Sequence, residues 1–344
     1  MSDLINVTEF LEIRNSNIVI DVRTPNEYIL GHIPGAYNIP LFSNEERAEV
    51  GTLYKHEGKY PAILRGLDIV GPKMSEIVRN INRLKTENQN IIVYCWRGGM
   101  RSESIMWLLN TAGIKTLRLI GGYKAYRQYG KNILSRDYKI IILGGKTGTG
   151  KTRILYKLKE LGEQVIDLEK KAHHKGSAFG IIGMPVQNYN EQFENNLIED
   201  FLQINPEKRL WLEDESKNIG RNFIPDELYS QMKKSPVLFV ETKLDYRINY
   251  LLEDYAKVDK EVLKDSLLRI KKRLGNNNVN DAINALESND FNQFAEIVLR
   301  YYDKAYINSL SKKPQEMVYK LNLNTSDLYS ASKVLIDKAD ELLD

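Results

Sequence analysis

Ile91-Ile92-Val93-Tyr94-Cys95-Trp96-Arg97-Gly98-Gly99-Met100-Arg101 is the stretch on which the fold of the first third of the chain turns. An apolar strand runs into a glycine-bearing loop, and a helical pattern follows from about Ser102. Strand, glycine loop and helix in that order aim backbone N–H groups at an anion. The loop opens with Cys95, the single cysteine of the chain, and carries Arg97 and Arg101. Amides and guanidinium groups around a thiol favour its thiolate, a nucleophile toward sulfur, selenium or phosphorus. A cysteine at a strand end can also be a small core residue. The two arginines and Gly98-Gly99 suit such packing poorly.

A second anion cradle lies further on. Gly145-Lys146-Thr147-Gly148-Thr149-Gly150-Lys151-Thr152 fits the Walker A pattern, between an apolar strand, Lys139 to Gly144, and a helix from Lys151 to about Leu161. The glycines let the backbone wrap phosphate oxygens, Lys151 adds a point charge, and Thr152 is placed to reach Mg²⁺. The strand Arg209 to Glu213 ends in Glu213-Asp214-Glu215, where a Walker B acid belongs, so Glu213 or Asp214 could hold a metal-bound water. No dedicated protein metal site is read from the sequence, and no prosthetic group. Thr242-Lys243-Leu244-Asp245 only partly matches a guanine-reading motif, since Thr stands where the base-reading Asn belongs, which disfavours a GTPase.

Around these two loops the pattern is α/β. Residues 1–130 alternate short apolar strands (Ile18–Val22, Tyr37–Pro40, Ile91–Tyr94, Thr116–Ile120) with helical spacings, as in a parallel sheet covered on both faces. The polar segment from Lys124 reads as a connection, with residues 131–138 as the linker. Residues 139–245 form the P-loop core, and 246–344 read as helical and packed on that core.

The 344 residues carry a formal charge of +3, too little to specify a partner. One cysteine excludes an internal disulfide or a Cys-rich zinc site and fits a reducing compartment. The start, Met1-Ser2-Asp3-Leu4, lacks the basic and apolar runs of a signal peptide, and no run approaches the ~18 apolar residues of a membrane span. A cytoplasmic protein without membrane contact is expected. Lys and Arg cluster locally, in Lys170-Lys171-Ala172-His173-His174-Lys175 and Lys271-Lys272-Arg273, runs that are commonly a solvated face.

The spacing from Cys95 to Arg101 suits either rhodanese-type sulfur transfer or a cysteine-dependent phosphatase. Upstream, Asp21-Val22-Arg23-Thr24-Pro25-Asn26-Glu27-Tyr28 and Gly31-His32-Ile33-Pro34-Gly35-Ala36 strongly resemble the rhodanese signature, and Tyr94 stands where phosphatases place His. The resemblance implies a persulfide or selenium analogue on Cys95, stabilised by the loop amides and Arg101. Asp21 and Arg23 would brace the loops, and His32 would be structural.

The chain as a whole resembles the tRNA 2-selenouridine synthases, a rhodanese domain fused to a P-loop domain. His174-Lys175-Gly176-Ser177-Ala178-Phe179-Gly180 and Trp211-Leu212-Glu213-Asp214-Glu215-Ser216 match segments of that family. Membership implies work on the wobble 2-thiouridine of tRNA, with geranyl diphosphate alkylating the sulfur and selenophosphate then replacing it with selenium. The P-loop would grip the diphosphate, with Ser177 and Phe179 lining the ligand site. An enzyme that supplies selenophosphate becomes a candidate partner. Candidate RNA contacts are Lys170, Lys171, His173, His174, Lys175, Arg221, Lys271, Lys272 and Arg273. The competing readings are a rhodanese-type sulfurtransferase with a regulatory nucleotide-binding domain and an ATP-controlled binding protein. Cys95 disfavours the latter.

Overall fold

The computed structural model describes residues 3–86, 88–255 and 258–343; the first two residues of the N-terminal segment lie outside it. Two compact units result. One comprises the chain up to Ile133 together with Tyr189–Glu199, and the other comprises Leu134–Asn188 and everything from Asp200 onward.

In the first unit, strands β1 (Leu4–Ile5), β2 (Ile18–Asp21), β3 (Tyr37–Asn38), β4 (Ile91–Tyr94) and β5 (Thr116–Leu119) form a parallel sheet in the order β1-β5-β4-β2-β3. β4 lies at its centre and all four of its residues are buried, as helices on both faces of a parallel sheet require. Ile20, Val22, Ile77, Ile81, Val93, Ile105 and Leu109 pack one continuous core against it. Two helices, Asn44–His56 and Lys59–Val70, fill a stretch in which the sequence shows no clear period.

The segment from Lys124 differs from its reading as a connection. Gly122–Leu134 is a helix, and residues 131–134 are its last turn. Tyr123, Tyr126, Ile133 and Leu134 are buried, and of the polar residues that suggest a linker Arg127 also turns inward, to Asn195.

In the second unit, β6 (Lys139–Gly145), β7 (Gln164–Ile166), β8 (Arg209–Glu213), β11 (Val237–Glu241) and β12 (Val318–Asn322) form a parallel sheet in the order β12-β11-β6-β8-β7. The small antiparallel pair β9 (Asn218–Ile219) and β10 (Asn222–Phe223) follows β8. The C-terminal part is helical apart from β12, which joins the sheet edge. Its helices build a second core from Leu263, Leu267, Val279, Phe294 and Val298. Among the described residues no helix is long and apolar enough to cross a membrane.

Candidate functional sites

The thiol loop begins where β4 ends. Gly98 has φ +63°, and a Cβ there would lie 2.5 Å from the Leu119 carbonyl oxygen, so only glycine fits the turn. The helix Gly122–Leu134 secures the loop from outside: the Tyr123 amide donates to the Cys95 carbonyl and the Lys124 amide to that of Trp96, each at 2.9 Å. Cys95 is buried, 3% exposed, with Sγ 3.3 Å from Ser102 Oγ and 3.8 Å from the Gly99 carbonyl oxygen. Ser102 is fully buried and is a thiol neighbour that the sequence pattern did not single out. Trp96 and Arg97 are exposed beside it.

Arg101 is engaged with a carboxylate: it donates to both oxygens of Glu27, at 2.7 and 3.2 Å. Asp21 and Arg23 form a buried brace. The Arg23 guanidinium donates to Asp21 and to the Gly31 carbonyl oxygen, at 2.6 and 2.7 Å, and lies 3.9 Å over the Tyr123 ring. His32 stacks on Tyr28 at 3.7 Å, and its Nδ1 lies 2.9 Å from the Tyr28 carbonyl oxygen. Burial holds its pKa below the usual histidine value. The helix Asn190–Phe201, far away in sequence, completes this unit. Asn195 donates to the His32 carbonyl and to the Tyr123 hydroxyl at 2.8 and 2.6 Å, and Tyr123 donates to Glu191 at 2.9 Å.

The P-loop sits between β6 and the helix Lys151–Glu160. Its shape is set locally: Thr149 Oγ1 donates to the Lys146 carbonyl at 2.7 Å, Lys151 Nζ to that of Gly145 at 2.9 Å, and Arg247 to that of Thr147 at 2.8 Å. Gly148 has φ +83°, and a Cβ there would meet the Arg247 carbonyl oxygen at 2.8 Å. Thr152 Oγ1 donates to Glu213 Oε1 at 2.9 Å.

Carboxylate oxygens of Glu169, Glu213 and Glu215 all lie within 4.8 Å of one another. Burial, and then the charges of their neighbours, raise all three pKa values. Glu213 is 1% exposed, and its Oε2 is buried without a hydrogen-bond partner. Gly176, at φ +64°, admits the group: a Cβ there would lie 2.7 Å from Glu215 and 3.0 Å from Glu169. The strand ends at Glu213, and a tight turn in which the Glu215 amide donates to the Glu213 carbonyl at 2.9 Å brings Glu215 back beside it; Glu169 carries no local signal of this meeting.

Asp214, the alternative metal-water holder, is directed elsewhere. It accepts from Lys313 Nζ at 2.6 Å and from Tyr306 Oη at 2.7 Å, and is thus committed to bracing the loop. Tyr306 Oη in turn accepts from the Gly145 amide at 3.1 Å.

A cavity of about 1040 Å³ opens from the P-loop. Gly145, Thr147, Gly148, Gly150, Lys151, Thr152 and the three glutamates line its polar part. Phe179, Ile182, Leu251, Tyr255, Ile270 and Tyr302 line an apolar part, and Ser177 also faces the cavity.

The basic candidates separate. Lys170, Lys175 and Arg273 line the cavity, while Arg221, Lys271 and Lys272 are exposed. Lys171 pairs with Asp200 at 2.8 Å. His173 ends the helix Leu168–Ala172 with φ +52° and directs Nδ1 to the Val186 carbonyl oxygen at 3.0 Å. His174 is buried rather than on a solvated face, its ring seated where a Cβ on Gly180 or Gly220 would come within 2.7 Å of it.

The family models part the chain near the same point, although the second of them includes Tyr189–Glu199, which packs with the first unit. Residues 6–129 match the Rhodanese-like domain, and residues 138–333 match the tRNA 2-selenouridine synthase AAA domain. The chain belongs to the tRNA 2-selenouridine synthase family. A tRNA 2-selenouridine synthase of Psychromonas ingrahamii is 32% identical over 88% of this chain and 90% of its own. Another, of Shewanella sediminis, is 35% identical over the same shares. Among solved structures, the N-terminal domain of a putative ATP/GTP binding protein from Clostridium difficile 630 is 45% identical over 37% of this chain and 97% of that chain, with a TM-score of 0.35.

Proposed function

We propose that this protein converts the wobble 2-thiouridine of tRNA to 2-selenouridine through an S-geranyl intermediate. In the first step the thiocarbonyl sulfur attacks C1 of geranyl diphosphate. The new C–S bond replaces the C–O bond, diphosphate leaves, and the base loses its N3 proton. Alkylation turns a poor leaving group into a good one. In the second step selenium from selenophosphate bonds to C2, geranylthiol departs, and water cleaves the Se–P bond to release phosphate.

The observation that carries this reading is the two-part cavity. Its P-loop amides and Lys151 suit a diphosphate and would stabilise it as it leaves, and the aromatic and aliphatic residues beyond suit an isoprenoid. Glu169, Glu213 and Glu215, with Thr152 hydrogen-bonded to Glu213, offer an all-oxygen donor set for Mg²⁺. The orphaned Glu213 Oε2 and the close approach allowed by Gly176 fit such an ion. Bound there, Mg²⁺ would neutralise negative charge shared by the carboxylates and a diphosphate.

Cys95, held at the loop base beside Ser102, is assigned to the second step: its thiolate displaces geranylthiol from C2 and is itself displaced by selenophosphate, delivered by a supplying enzyme, so no S–Se bond and no oxidant are needed. Lys170, Lys175 and Arg273 at the cavity, with exposed Arg221, Lys271 and Lys272, would take tRNA phosphates, so binding should weaken steeply with salt.

Incubation with 2-thiouridine tRNA and geranyl diphosphate, followed by nucleoside mass spectrometry, tests the proposal. An S-geranyl nucleoside is expected. Its absence under conditions where the protein binds the tRNA would leave the plain sulfurtransferase in its place.

A further inference from the structure

We infer that Phe179 closes the apolar end of the P-loop cavity and sets the length of isoprenoid chain the site accepts. The inference rests on the prenyl-diphosphate reading above and adds a specificity determinant to it.

Segment 176–179 spans the two chemistries of the cavity. Gly176 packs against the carboxylates of Glu215 and Glu169, next to the P-loop. Three residues later Phe179 is 3% exposed, its ring 5.5 Å from Tyr255, 6.0 Å from Phe294 and 6.4 Å from Tyr302. Three residues of chain reach at most ~10 Å, and the turn here shortens that reach, so the backbone carrying the aromatic wall lies within one short isoprenoid's length of the polar end.

The wall is fixed in place. The Ala178 amide donates to Tyr302 Oη at 3.0 Å, and the Lys175 and Gly180 amides close turns onto Gly180 and Ser177 at 2.9 and 2.8 Å. Phe179 therefore cannot swing aside cheaply for a longer ligand. Behind it stands Phe294, fully buried in the helical core and not part of the cavity lining. Truncating Phe179 would extend the cavity into apolar protein, which is what an added isoprene unit needs; enlarging it would shorten the cavity.

The test compares dimethylallyl, geranyl and farnesyl diphosphates as donors to 2-thiouridine tRNA for the full-length wild type, Phe179→Ala and Phe179→Trp, with circular dichroism on each. One isoprene unit is five carbons, and even a single methylene discriminates by about tenfold. Phe179→Ala should therefore raise the farnesyl-to-geranyl ratio of kcat/KM by at least about tenfold, and Phe179→Trp should raise the dimethylallyl-to-geranyl ratio. If Phe179→Ala does not fold, Phe179→Leu carries the same test with a smaller shift of the same sign. Folded variants that keep the wild-type ratios would overturn the inference while leaving the function intact. A wild type that uses none of the three donors would instead overturn the reading beneath it.

Discussion

Arg101 grips Glu27 through both terminal nitrogens, at 2.7 and 3.2 Å, tying the first turn of the helix after the thiol loop to the helix Pro25–Leu30. Burial alone would raise the Glu27 pKa; the hydrogen bonds and charge of Arg101, with the Thr24 amide, outweigh it and hold the carboxyl below its usual 4.5. A folded-state pKa that is depressed contributes stability above the unfolded value, and that contribution is lost as pH falls through the folded one. Glu27→Gln keeps a side chain able to complete the capping box with Thr24. It should cost up to about 1 kcal/mol near neutrality. In urea titrations the gap between variant and wild type should close below pH 4.5.

Cys95 and Lys151 should separate the two steps. Cys95→Ala should abolish selenium incorporation while S-geranyl nucleoside still accumulates. Lys151→Ala should slow geranylation by about 10²–10³-fold. It should leave selenium transfer to a pre-geranylated tRNA largely intact. Nucleoside mass spectrometry reads both, and joint loss of the steps in Cys95→Ala would contradict the assignment.

Mg²⁺ should bind without any substrate. An ion that occupies only the folded state raises stability, by about 2.7 kcal/mol at a hundredfold excess over Kd. Thermal unfolding should therefore shift upward with Mg²⁺ or Mn²⁺, and the shift should vanish in Glu213→Gln. An equal shift in that variant would place the ion elsewhere.

Asn195 should matter to the thiol-bearing unit although it lies beyond the P-loop in sequence. It is fully buried and bonds His32, Tyr123 and Arg127. Asn195→Ala leaves those groups unsatisfied at about 1–3 kcal/mol, measurable by chemical denaturation. Residues 1–133 alone, without Tyr189–Glu199, should unfold at lower denaturant than the full chain.

Both glycine loops could be read from local order, because strand, glycine turn and helix are encoded by neighbouring residues. β4, the P-loop and β8 fall where their apolar runs end. Long-range pairings were not legible. Nothing near Glu169 announces Glu213 and Glu215, and nothing near Asp214 announces Lys313. The helix Gly122–Leu134 was obscured because its buried face is built from tyrosines, which read as polar in a charged segment. His174 stood in a basic run that composition alone assigns to solvent, yet Gly180 and Gly220 leave room for its ring inside. Ser177 and Phe179 came from family likeness, and the structure adds what they face.

The account depends on the P-loop holding an isoprenoid diphosphate. Calorimetric titration of the full chain with geranyl diphosphate, inorganic pyrophosphate and ATP, in Mg²⁺, tests this most directly. Geranyl diphosphate should bind tightest, with a negative heat-capacity change from burial of its chain, and pyrophosphate should compete with it. Tighter binding of ATP, with geranyl diphosphate no better than pyrophosphate, would contradict the account.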